Sequence, residues 1–218
     1  MGSDPRGAVS AARPGNARML RPGEYVMPLR PGVPPAPGEP IEPMAPLEHL
    51  DAERNLWWAL TEPGPEPPIG RIYLDARPAT APRVVHEVTT ALAELPFQLK
   101  CPIIADACER VDAVVVYHVR RSRQKVMGAL LGRWATLGPL LDPGVPPLTR
   151  RVRRGVAWAD DVEVGSSYGE ARCRVLAQGI DAAAASWNAM GPDERLSALV
   201  AALADAGVDP QHPWRVLA

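Results

Sequence analysis

Asp112-Ala-Val-Val-Val-Tyr-His-Val119 is the stretch on which the fold turns. Its β-branched, nearly continuous apolar run predicts a buried strand. Successive side chains point to opposite faces, so one of Tyr117 and His118 faces a core and the other is free to face a cleft. Upstream, Arg71–Asp75 alternates polar and apolar residues like a second strand. Pro82 opens a helix whose Val84, Val85, Val88, Leu92 and Leu95 form one stripe, and Pro96 stops it. Phe97–Ile104 reads as extended, with Pro102 pointing to an edge position or a bulge. Downstream, Ser122 to about Thr136 is predicted as a helix with a basic face, and residues 138–147 as a Pro/Gly loop. Leu148–Trp158 reads as extended with arginines facing out. Ser167–Trp187 and Pro192–Ala206 read as helices, the second closed by Gly207. Strands and helices come in mixed order with few βαβ crossovers. The class is therefore α+β: a small mixed or antiparallel sheet flanked by helices.

The chain divides near residue 47. Of its 26 prolines, 15 lie before residue 71. Residues 1–47 read as a Pro-rich irregular extension, since proline withholds backbone donors. Residues 48–218 form the domain. Asp51–Leu60 is predicted as a short helix with Leu56, Trp57 and Leu60 toward the core, ended by the cluster Pro63–Pro68.

With 46% apolar residues the 218-residue chain can bury a real core. Its 24 basic and 25 acidic groups leave a net charge of −1, which argues against a nucleic-acid binder. No run of 18 apolar residues predicts a membrane span. The start lacks the apolar core of a secretory signal. Cys101, Cys108 and Cys173 show no metal-ligand spacing, which fits a reducing cytoplasm and no bound metal or cofactor.

Several features suggest a site for an anion. Arg120, Arg121, Arg123 and Lys125 form one basic run, and Arg150, Arg151, Arg153 and Arg154 another; guanidinium groups hold phosphates or acidic peptides by bidentate contacts. Gly165-Ser166-Ser167-Tyr168-Gly169-Glu170-Ala171-Arg172 leads a small-residue loop into a helix. Ser167 and Glu170 have the spacing of a capping box, and a helix start offers free N–H groups to an anion. Only two lysines occur, Lys100 and Lys125. A lysine at a cleft rim, beside arginines and partly desolvated, can act as a base; on an edge strand it simply discourages pairing.

These pieces recur together in one family. Arg71-Ile-Tyr-Leu, a helix, Pro96-Phe97-x-x-Lys100 and Arg110-x-Asp112-Ala-x-Val-x-Tyr117 come in that order. Thr149 then precedes a Gly155-Val-Ala-Trp-Ala turn and Ser167-Tyr-Gly-x-x-Arg172. Over roughly residues 70 to 185 the chain resembles the HopA-type effector family, and it is similar to the lyase subunits of class V lanthipeptide and thioamitide biosynthesis. In those pathways a kinase-like phosphotransferase subunit phosphorylates Ser or Thr of a precursor peptide, and the family member eliminates phosphate to leave dehydroalanine or dehydrobutyrine. A more distant likeness is to bacterial phosphothreonine lyases. It implies Arg71 as a phosphate contact and Lys100 as catalytic base, and it lays Tyr73 where those enzymes have an acid histidine. Tyrosine is a weaker acid than imidazolium, so Tyr73, Tyr117 and His118 all stand as candidates for the acid.

The resemblance thus implies a cofactor-free lyase. Arg71, Arg120, Arg172 and the Ser167–Tyr168–Gly169 helix start would hold phosphate, with Tyr117 and Thr149 in support. Asp112 admits two readings: orienting Arg71 or Lys100, or a solvent-facing carboxylate at a strand start. The partners expected are the phosphorylated precursor peptide and the kinase-like subunit. The rival reading is a module that binds a phosphopeptide or a kinase without chemistry. A third is an unstable half of an obligate heterodimer, with the Pro-rich first 47 residues and the exposed Trp57-Trp58 pair as a partner surface.

Overall fold

Val114, Val115 and Val116 are all buried because β5 (Val114–Val119) lies at the centre of the sheet and is covered on both faces. The structure, a computed structural model, describes residues 47–61, 65–161 and 166–217. The other strands are β1 (Leu47–Asp51), β2 (Leu56–Leu60), β3 (Ile69–Leu74), β4 (Phe97–Pro102), β6 (Arg150–Arg153) and β7 (Val156–Asp160). The helices are α1 (Ala81–Ala91), α2 (Arg123–Gly132), α3 (Trp134–Leu137), α4 (Tyr168–Ala182) and α5 (Pro192–Asp205). One seven-stranded antiparallel sheet runs β1-β2-β4-β5-β3-β7-β6, so the chain is α+β. The Pro-rich extension before residue 47 lies outside the described residues, as do part of the Pro63–Pro68 cluster and Gly165.

Helices α1, α2 and α3 cover one face. Val84, Val85, Val88 and Leu92 are fully buried against Ile72, Leu74, Leu99, Val114 and Val116. Each such side chain contributes roughly 1.5–3 kcal/mol by leaving water. The opposite face carries a smaller cluster of Tyr73, Val115, Ala159 and Tyr168, the last brought by α4. Helices α4 and α5 meet where Gly179 faces Ala202; a Cβ at Gly179 would sit 2.7 Å from the Ala202 Cβ.

Several expectations need correction. Asp51–Leu60 is the β1–β2 hairpin, not a helix. Trp57 and Ala59 are buried while Leu56, Trp58 and Leu60 are half-buried, a period of two. The turn is made by Asn55 at φ 55 and by Asp51 Oδ1 accepting from Arg54 N. Trp57 and Trp58 therefore point to opposite faces, and Trp57 lies in the core with its Nε1 donating to Glu48. This hairpin also moves β4 off the edge: β4 lies between β2 and β5, and Pro102 is its last residue, where a missing donor costs little. Leu148–Trp158 is not one strand. Gly155 at φ 64 turns β6 back on β7, in a spot where a Cβ would meet Asp142 O at 2.1 Å. The helix expected over Ser122–Thr136 breaks at Arg133 into α2 and α3, and the one expected to reach Trp187 ends at Ala182.

His118 lies on the helix-covered face, fully buried. It crosses from Gly70 in register, and a Cβ on Gly70 would sit 2.6 Å from its Cε1. Its Nδ1 is 2.9 Å from Val119 O, while Nε2 has no partner among the described residues. Burial lowers its pKa below the ordinary 6.5, and nearby Arg123 pushes the same way. The unfolded chain then binds this proton before the folded one does, so stability is lost as pH falls through about 6.5. We expect the urea midpoint to drop between about pH 7 and pH 5, and the drop to shrink in His118→Gln. An equal drop in both proteins would assign the acid sensitivity elsewhere.

Candidate active site

Register assembles the site. On the face away from α1–α3, Tyr73 of β3 pairs with Val115 of β5, and Val115 with Lys100 of β4. Two residues along, on the same face, Arg71 of β3 pairs with Tyr117 of β5. At about 4.8 Å per strand, Tyr73 and Lys100 stand about 10 Å apart at their backbones. Their side chains line one cavity of about 600 Å³, together with Arg71, Tyr168 and Arg172.

Arg71 is the anchor. Its Nε donates to Asp161 Oδ2 at 2.7 Å and an Nη to Ser166 O at 2.7 Å. Its side chain is 5% exposed and that of Asp161 9%. Burial opposes the guanidinium charge, but its surroundings of Tyr117, Tyr73 and the Asp161 carboxylate outweigh it, so Arg71 is held firmly cationic. Burial likewise pushes Asp161 up, against the pull of Arg71, Arg172 and Lys100. Facing a guanidinium at 2.7 Å, Asp161 stays a carboxylate at neutral pH.

Tyr117 fills the space between the two cations. Its ring centroid is 5.0 Å from the Arg71 guanidinium carbon and 5.7 Å from Lys100 Nζ, and Trp58 stacks on it at 5.9 Å. These aromatic faces hold the two long side chains in place. Among the described residues Lys100 has no hydrogen bond or ion pair. Tyr73 is 4% exposed, and its hydroxyl is buried with no hydrogen-bond partner among the described residues. Burial raises its pKa well above the ordinary phenol range, despite Arg71, so the group is a neutral donor facing the cavity.

The far wall is α4. Ser167 Oγ accepts from Glu170 N at 3.1 Å, which is half of the expected capping box. The other half is not made: the Glu170 carboxylate lies 3.7 Å from Arg174 instead. Tyr168 and Gly169, in the first turn, have no intrahelical acceptor for their N–H groups, and both line the cavity. The single proton of Tyr168 Oη lies between two carbonyls, Leu148 O at 2.6 Å and Pro213 O at 3.1 Å. It thereby pins Leu148, whose φ of 60 is strained for a side-chain-bearing residue. Arg172 is 1% exposed, and its Nε donates to Pro213 O and an Nη to Asp160 O. It ties α4 to the C-terminal segment while adding charge to the cavity wall.

Other candidates lie elsewhere. His118 is on the opposite face of β5 and does not reach the cavity. Arg120 follows β5 in a short turn and does not line it. Thr149 bonds Pro146 O, behind the cavity wall. Asp112 is at the rim, held by Arg110 through two contacts of 2.9 Å, and orients neither Arg71 nor Lys100. Asp161, the partner of Arg71, escaped the sequence reading. Its signal was the Asp-Asp pair ending the Gly-Val-Ala-Trp-Ala strand, next to a buried arginine that needed a carboxylate. Among the described residues no group of three or more His, Cys, Asp or Glu could hold a metal, and no helix is long and apolar enough to cross a membrane.

Residues 52–215 match the HopA1 effector protein family. The chain belongs to that family. Two solved structures share its fold. One is the effector protein from Pseudomonas syringae pv. tomato strain DC3000, at TM-score 0.62 and 17% identity, over 77% of this chain and 65% of that one. The other is the effector protein from Pseudomonas syringae pv. syringae strain 61, at TM-score 0.56 and 20% identity, over 77% and 66%. The HopA1-family chain thus spans just under two thirds of each effector's length. Comparison with curated proteins finds no match.

Within this HopA1-family fold the Arg71–Asp161 pair is the joint between β3 and the segment after β7. Asp161→Ala would leave a buried guanidinium without its counter-charge. We expect a stability loss of about 3–5 kcal/mol by chemical denaturation, with Asp161→Asn losing less because it keeps an acceptor. Indifference to both changes would show that Ser166 O alone holds Arg71.

Proposed function

We propose that this protein is a phosphoserine/phosphothreonine lyase that eliminates phosphate from a phosphorylated precursor peptide, leaving dehydroalanine or dehydrobutyrine. A kinase-like subunit supplies the phosphorylated residue. The observation that carries this reading is the convergence, on one cavity, of an amine with no hydrogen bond or ion pair among the described residues, a buried arginine and a buried phenol that has no hydrogen-bond partner among them. Those are the groups that a β-elimination requires.

Lys100 Nζ, as the neutral amine, removes the proton from Cα of the phosphorylated residue. The C–H electrons become the Cα–Cβ double bond, and the Cβ–O bond breaks with its electron pair leaving on phosphate. Charge grows on the departing phosphate. Arg71 and the free N–H groups of Tyr168 and Gly169 receive it, in a site where fixed dipoles need no reorganisation. Tyr73, kept as a neutral phenol by its burial, gives the leaving oxygen a hydrogen bond and then its proton. Solvent exchange afterwards returns a proton to Tyr73 and takes one from Lys100. No metal or redox group is needed for the balance.

Substrate entry suits a peptide. The deep part of the cavity is cationic and aromatic, and its rim carries exposed Glu109, Arg110 and Glu170. A phosphorylated side chain can reach Arg71 while its backbone stays at that rim.

The test is mass spectrometry of a phosphothreonine peptide incubated with the protein, alone and with the kinase-like subunit. We expect loss of the mass of phosphoric acid, slowed about 10²–10⁴-fold in Lys100→Ala, with phosphopeptide affinity kept. Arg71→Lys should weaken binding as well as turnover, since an ammonium cannot form the bidentate contact. Tight phosphopeptide binding without elimination in either tube would replace the lyase with a docking module.

A further inference from the structure

The two basic runs converge on a second feature that the cavity does not use. β6 is the last strand of the sheet. Arg150, Arg151 and Arg153 are exposed on it, and among the described residues none has a carboxylate partner. Arg150 lies 6.0 Å from the Trp214 ring and Arg153 5.3 Å from the Trp134 ring, so stacking orients both without neutralising them. Between β6 and α2 runs a groove of about 490 Å³. Its apolar lining includes Met127, Leu131, Val152 and Trp158, and a Cβ at Gly128 would meet nothing within 4 Å. Arg123 stands in the same groove, 3.8 Å over the Trp158 ring and bonded to Asp160.

We propose that the β6 edge and this groove dock an acidic, extended segment of the same peptide whose phosphorylated residue enters the cavity. This rests on the peptide reading above. A sheet edge offers unpaired N–H and C=O groups to an added strand, with alternate side chains filling pockets beside it. Edge arginines repel basic and neutral strands, the usual guard against aggregation. Against an acidic strand the same charges select it. Continuity joins the two sites: Pro146, Pro147 and Leu148 wall the cavity, and β6 begins two residues later at Arg150. β6 is also only two strands from Arg71, about 10 Å. The groove opens on the face covered by α2 and the cavity on the opposite face of the sheet, so a peptide serving both passes round the β6 edge.

The first experiment uses no phosphate, so that it stands apart from the lyase reading. A fluorescent peptide of about ten residues, alternating glutamate and valine, is titrated by anisotropy at low salt. We expect binding to wild type and to Lys100→Ala alike, about tenfold weaker in Arg150→Glu/Arg151→Glu. Amide exchange should slow at residues 150–153 on binding. No binding, equal binding to the double variant, or protection only elsewhere would overturn the proposal. So would a single-stranded oligonucleotide that displaces the peptide at equal concentration, which would make the groove a nucleic-acid site. A peptide joining the acidic segment to phosphothreonine, tested on Lys100→Ala, should bind at least about tenfold tighter than the phosphopeptide alone. Equal affinity would show that the two sites do not serve one peptide. Absence of elimination, with these binding results intact, would remove the lyase chemistry and leave the docking site standing.

Discussion

The pairing of β5 with β3 on one side and β4 on the other is the constraint on which the rest of this molecule depends. It sets Val115 between Tyr73 and Lys100 and sets Tyr117 opposite Arg71. Because side chains alternate with a period of two, a slip of one residue in β3 would turn Arg71 and Tyr73 into the helix-covered core and expel Ile72 and Leu74. The hydrophobic helix face therefore fixes the polar face. Burial of Ile72, Leu74, Val114 and Val116 under α1 and α2 enforces the register, and the register then delivers the cavity.

The cavity's electrostatics follow from how little water reaches it. Arg71 is too deep to be left unpaired, so the segment after β7 brings Asp161 and the Ser166 carbonyl. Arg172 is deeper still and is balanced by carbonyls of Asp160 and Pro213. The cations are thus fixed before any substrate arrives, which is the condition for stabilising charge that appears only as a bond breaks. Tyr73 is different. Its hydroxyl is buried beside these groups yet bonds none of them, a cost that a stable fold does not need. Unsatisfied buried polar atoms call for an explanation, and a ligand oxygen supplies one.

Much of this was legible in the residues. The Asp112–Val119 run, the valine stripe of α1 and the proline stops located strands and helices by periodicity alone. Arg71, Lys100 and the Ser167–Gly169 helix start were singled out from residue types and their order, Tyr73 from the family resemblance, and they do share one cavity. Asp51–Leu60 was misread because Leu56, Trp57 and Leu60 also fit helical spacing. Only the neighbouring β4, which needed a partner on its far side, settles that segment as a strand. His118 was open for a related reason: Tyr117 and His118 are adjacent, so one had to face each way, and nothing local says which.

What the amino-acid sequence determined by itself was local: which segments alternate, which coil, where proline and glycine forbid continuation, and which residue types could handle phosphate. Such features depend on neighbours within a few positions. What only the tertiary structure decided was which distant residues meet. Arg71 and Asp161 are 90 positions apart in the chain and hydrogen-bonded at 2.7 Å. Tyr168 closes on Leu148, and the two arginine runs meet at the β6–α2 groove. Those meetings follow from strand order and register, which come from burying one whole face of the sheet at once, and no short stretch of the chain contains that information.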